Sequence, residues 1–176
     1  MFKISSIEQI KHDLLSPPQA PRIFPGNTAS HFDALYEEIV TQIKTTTISA
    51  ECVLWDSVKA VNENKAYADA AYWEEGLLPS ASTYWFFAEN GQGDRWLFDA
   101  DEEVLFYDHD GGELSPRNFR SMGIQFSQWL QFAYLNRALD VVYAERGTVD
   151  EVLNMAYKNK LREISLSLLE NYPFED

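Results

Sequence analysis

Between residues 83 and 107 three short runs of large apolar side chains alternate with turns, and this spacing constrains the fold more than any other feature. The runs are Thr83-Tyr84-Trp85-Phe86-Phe87-Ala88, then Asp94-Arg95-Trp96-Leu97-Phe98-Asp99, then Val104-Leu105-Phe106-Tyr107. Glu89-Asn90-Gly91-Gln92-Gly93 joins the first two, with glycines able to take positive φ. Ala100-Asp101-Glu102-Glu103 joins the second pair, and Asp108-His109-Asp110-Gly111-Gly112 closes the series. Aromatic residues suit a pleated surface, and short connections pair consecutive strands antiparallel. The spacing predicts a three-stranded meander over about 83–108. The runs are apolar throughout rather than alternating, so both faces of the sheet are expected to be covered.

Helical patterns flank this centre. Ser5-Ser6-Ile7-Glu8 has the form of a capping box, and Ile7, Ile10 and Leu14 follow at helical spacing, predicting a helix over about 5–15. Pro17, Pro18, Pro21, Pro25 and Gly26 then make a loop. It reads as a connection within one domain, because too little chain precedes it to form a core. Ser30 is the expected cap of a second helix, whose stripe runs Phe32, Leu35, Tyr36, Ile39, Val40 and Ile43 until Thr45-Thr46-Thr47 ends it. Residues 52–55 read as a short buried strand. Asp56 is placed to cap a helix from Ser57, with Asn62-Glu63-Asn64-Lys65 stopping or loosening it. Residues 66–75 fit either a helix or an ordered loop.

After the meander, Phe126, Trp129, Leu130, Ala133 and Tyr134 predict a helix continuing to Tyr143, with Gly147 as a left-handed stop. Thr148-Val149-Asp150-Glu151 is read as the capping box of a last helix over about 148–170, striped by Leu153, Tyr157, Leu161, Ile164 and Leu168 and ended by Pro173. The expected architecture is a single α+β domain over 1–176, mostly antiparallel.

The chemistry-bearing residues are few. Cys52 is the one cysteine, which excludes a disulfide framework and a thiolate zinc cluster; its apolar neighbours Val53 and Leu54 point to an inert core thiol. The histidines, His12, His31 and His109, fall in unrelated elements with no i, i+4 pair. Asp108-His109-Asp110 is the one local cluster of metal-ligand types, but adjacent residues of a strand point to opposite faces, so His109 is expected to diverge from both aspartates. No serine lies in a Gly-x-Ser-x-Gly turn. Gly91-Gln92-Gly93 sits between two strands and reads as a hairpin turn rather than a dinucleotide fingerprint. No catalytic residue, metal ligand or cofactor is assigned. Tyr67, Tyr72, Trp73, Tyr84 and Trp85 could anchor an interface, with the core as the favoured place for most of them.

Charge is more informative. The chain carries 28 acidic residues against 14 Lys+Arg, a formal net charge of -14. Such a surface repels phosphate backbones and anionic lipid, so direct nucleic-acid binding and a basic membrane anchor are not expected. The N-terminus lacks the apolar core of a signal peptide and no apolar run reaches a membrane span, which predicts a soluble cytoplasmic protein. From Glu89 to Glu113 there are nine acids against one base, Arg95. Glu89, Asp94, Asp99, Asp101, Glu102, Glu103, Asp108 and Asp110 are expected to crowd one rim of the sheet, either as the polar turns of an exposed edge or as a surface that docks a basic protein partner.

The segment 78–135 carries a family resemblance. Leu78-Pro79 precedes Trp85-Phe86-Phe87-Ala88-Glu89-Asn90-Gly91-Gln92-Gly93-Asp94-Arg95-Trp96-Leu97-Phe98-Asp99, a strand ends in Tyr107-Asp108-His109-Asp110, and Phe126-Ser127-Gln128-Trp129-Leu130 opens a helix. This resembles the SUKH superfamily, the domain shared by fungal cell-wall-synthesis regulators and many bacterial immunity proteins. The likeness covers about a third of the chain. The opening departs from it: no clear Leu-Pro-x-x-Tyr helix followed by Asn-Gly is present, and 25–36 matches only as a stretched version. The resemblance implies an α+β binding module without known catalysis, and in bacteria an immunity or antitoxin protein that neutralises a toxin, often a nuclease. The alternatives weighed are a regulatory or scaffold protein of the same superfamily without a toxin partner, and a metal-assisted hydrolase using Asp108, His109 and Asp110.

Overall fold

The structure, a computed structural model, describes residues 2–24, 32–77, 79 and 83–174. Its centre is a six-stranded antiparallel sheet in which strand order follows chain order. The strands are β1 (Thr46–Ser49), β2 (Cys52–Leu54), β3 (Trp85–Glu89), β4 (Arg95–Phe98), β5 (Val104–Tyr107) and β6 (Phe119–Ser121). Around them stand α1 (Ile7–Leu14), α2 (Ala34–Val40), α3 (Ser57–Ala66), α4 (Phe126–Arg146), α5 (Glu151–Ile164) and α6 (Leu166–Glu170). The protein is an α+β domain, and β3, β4 and β5 are the predicted meander.

Both faces of the sheet are covered. On one, Phe87, Trp96 and Phe98 meet Phe126, Trp129 and Phe132 of α4, with Phe87 and Phe98 stacked at 4.2 Å and Phe87 edge-on to Trp129 at 4.9 Å. Tyr36 of α2 fills the gap between Phe87, Phe98 and Phe126, and its hydroxyl accepts the Trp85 indole N–H at 2.8 Å. On the other face Phe86 lies under Tyr67, Trp73 and Phe119. The segment at 66–75 is therefore an ordered cover containing a 3-10 turn at Ala70–Tyr72. Of its aromatics, Trp73 and Trp85 are buried, Tyr67 and Tyr84 pack against the core, and Tyr72 is exposed.

Several expected boundaries move, each for a local reason. The Thr45-Thr46-Thr47 run does not end α2, which stops at Val40 with Thr41 as its C-cap; Thr46 and Thr47 instead begin β1, which hairpins into β2. Asp33, not Ser30, caps α2 through Leu35 N at 2.7 Å, and Ser30 lies outside the described residues. Asn62-Glu63-Asn64-Lys65 does not stop α3, because the Asn64 side chain bonds Ala60 O one turn back and both Phe86 N and Phe86 O across to β3. Asp150 rather than Thr148 caps α5. The last helix breaks at Ser165, which turns extended and caps α6. Strand β6 had no signal in three residues. Gly147 ends α4 at φ 74°, the predicted left-handed stop.

Candidate functional site

Strand register decides where the acids go. Glu89 pairs with Arg95 and Arg95 with Tyr107, whereas Trp85 pairs with Phe98 and Phe98 with Val104. Glu89, Asp94, Asp108 and Asp110 therefore lie at one end of β3–β5, and Asp99, Asp101, Glu102 and Glu103 at the opposite end. The expected single rim is two clusters. The meander requires this: consecutive turns of antiparallel strands emerge at alternate ends.

The first cluster has bases among its acids. Glu89 is paired with Lys59 of α3 and lies 3.5 Å from Arg95. Lys59 and Arg95 both sit over the Trp55 ring, at 5.1 and 5.8 Å from its centroid. Asp94 is buried. Its Oδ1 accepts the His109 backbone N–H at 3.1 Å and lies 2.8 Å from His109 Nδ1, and its Oδ2 accepts Asn90 Nδ2 at 2.7 Å. Asp108 Oδ1 accepts Asp110 N and Gly111 N, making the 3-10 turn His109–Gly111. That turn corrects the expectation for His109. The strand stops at Tyr107, so the imidazole swings back onto Asp94 and its Nε2 reaches 3.2 Å from Asp110. The hydrogen bond to Asp94, helped by the charges of Asp110 and Asp108, raises the His109 pKa despite some desolvation.

Asp94, Asp108 and His109 are also the described residues whose ligand atoms lie within 4.8 Å of one another, a spacing that could hold an ion. Asp94, His109 Nδ1 and Asp108 Oδ1 already hold the hydrogen bonds that build this turn, while Asp108 Oδ2 accepts none among the described residues.

The second cluster is different. No ion pair among the described residues involves Asp99, Asp101, Glu102 or Glu103. Asp99 Oδ1 accepts Asp101 N and Glu103 N, each at 2.9 Å, and so shapes the turn. Glu103 ties to Ser121 Oγ and to Gly123 N. Asp101 is exposed, and Glu102 holds the left-handed conformation at φ 62°. Partial burial and the nearby charge of Asp33 raise the Glu102 pKa. The turn thus presents one exposed carboxylate, Asp101, and one half-buried carboxylate, Glu102, on a frame built by two others.

Cys52 is fully buried, and burial pushes its thiol far above the usual range, in line with an inert core residue. No helix among the described residues is long and apolar enough to cross a membrane. Comparisons with protein-family models, curated proteins and solved structures returned no match to this chain.

Proposed function

We propose that this protein is a non-catalytic binding module that docks a basic protein through the acidic β4–β5 turn. The role is the one implied by the resemblance to the SUKH superfamily: an immunity protein that occupies and neutralises a cognate toxin domain, with a nuclease as a fitting partner. A nuclease surface is basic because it binds phosphates. The observation that carries the proposal is the contrast between the two ends of the meander. At one end Lys59 and Arg95 meet Glu89, and His109 meets Asp94 and Asp110; at the other, exposed Asp101 and half-buried Glu102 stand beside Asp99 and Glu103 with no paired base among the described residues. Uncompensated charge on a rigid turn raises the encounter rate with an opposite field and costs no reorganisation on docking.

The test is co-expression with the product of the adjoining gene in cells that this product would otherwise arrest. Restored growth and co-purification as a complex are expected. A neighbouring protein that is harmless and does not bind would refute the immunity role.

A further inference from the structure

The β3–β4 turn contains the chain's one Asn-Gly step, Asn90-Gly91. Such a step is chemically labile, because glycine has no Cβ to obstruct attack by its backbone nitrogen on the asparagine side-chain amide carbon. A C–N bond forms to close a succinimide ring, and the bond to the side-chain nitrogen breaks, releasing ammonia. Water then adds to either ring carbonyl and opens the ring to aspartate or isoaspartate. The net change is amide plus water to carboxylate plus ammonium.

The fold does not require a glycine at this place. Gly91 lies outside the left-handed region, and a Cβ on it would meet nothing within 4 Å. Gly93 is the contrary case, with φ 118° and the His109 ring 3.4 Å from where a Cβ would stand.

The fold does restrain the asparagine. Asn90 is 4 % exposed. Its Oδ1 accepts N–H groups from Gln92, Gly93 and Asp94, and its Nδ2 donates to Glu51 Oε2 at 3.0 Å and to Asp94 Oδ2 at 2.7 Å. Ring closure makes the amide carbon tetrahedral and expels Nδ2, so it has to break the bonds at Nδ2 and redirect those at Oδ1. The product does not fit the same place. Aspartate at 90 would set a third carboxylate against Glu51 and Asp94, where burial and the Asp94 charge already raise the Glu51 pKa. Isoaspartate would lengthen the backbone of a turn whose ends are fixed by the pairing of Glu89 with Arg95.

We propose that Asn90-Gly91 is a one-way chemical latch: the native fold preserves the amide, and once the β3–β4 turn opens, deamidation converts Asn90 into a residue that the turn cannot take back. The latch lies at the end of the meander opposite the β4–β5 turn and is independent of the docking role.

The test follows Asn90 by peptide mapping and mass spectrometry in the full chain, held at one pH and temperature with and without denaturing urea. Conversion is expected to be faster in urea by about tenfold or more, because the folded chain reacts only through its rare open state. The fraction that refolds on dilution should fall in step with conversion. Gly91→Ala is expected to fold as the native chain does, to convert slowly in urea and to keep its capacity to refold after the same incubation. Equal conversion in the two conditions, refolding that is indifferent to conversion at Asn90, or loss of refolding in Gly91→Ala as fast as in the native chain would overturn the assignment.

Discussion

The Asn90 side chain accepts three backbone N–H groups, from Gln92 at 2.9 Å and from Gly93 and Asp94 at 3.1 Å, while its amide donates to Glu51 and Asp94. Asn90 and Asp94 are buried, so the contacts between them have little water to replace them, whereas Gln92 is exposed. Asn90→Ala is expected to cost about 2–3 kcal/mol in urea unfolding, because it orphans several polar groups at once. Asn90→Asp keeps the acceptor but faces two carboxylates, so it should be the worse substitution at neutral pH and should recover as pH falls. His109 gives a pH signature of its own. Its folded pKa is raised by Asp94, so its contribution is complete below the unfolded value of about 6.5 and is lost as pH rises through the folded value. The stability gap between the native protein and His109→Gln, measured by unfolding across a pH series, should therefore shrink on going from acid to alkaline pH. A gap that widened would contradict the Asp94 contact. None of this was legible from sequence: Asp94 and His109 are 15 residues apart and meet only because β4 and β5 pair in register.

Elements with several large apolar residues were legible; those held by one or two polar contacts were not. The meander read correctly because each run is short, rich in large apolar side chains that the fold buries, and bounded by turn residues. Strand β1 was hidden in a threonine run that equally suits a helix end, and β6 is three residues whose pairing with β5 supplies what its sequence lacks. The break at Ser165 escaped because Leu161, Ile164 and Leu168 keep one stripe through it, all three being buried. Helix α3 survives its Asn-rich stretch through Asn64, which clips the last turns to β3. Asn64→Leu removes three hydrogen bonds and leaves the Phe86 N–H and C=O unpaired, so it should lower stability by about 2–4 kcal/mol. It should also raise amide exchange in α3 and β3 first. Uniform exchange across the sheet would show that the clip is not local.

For the whole molecule, net charge suggested a basic partner, but composition cannot say on which side the charge stands. The topology separates the acids into an end where Lys59, Arg95 and His109 stand among them and an end with no paired base among the described residues, and the docking proposal rests on the second. Four of the eight acids singled out from sequence, Asp94, Asp99, Glu103 and Asp108, are hydrogen-bonded into turns, so reversing them would confound folding with binding. Asp101 and Glu102 are free of that role, as is Asp110 at the other end apart from its contact with His109. The most direct measurement is the association rate of the adjoining gene's product with two variants, Asp101→Lys with Glu102→Lys, and Asp110→Lys with Glu113→Lys, at low and physiological salt. The first pair should slow association by about tenfold or more at low salt, an effect that salt diminishes, while the second changes it little. Equal rates for both variants and the native protein, or slowing confined to the Asp110 pair, would contradict the assignment of the β4–β5 turn as the docking surface.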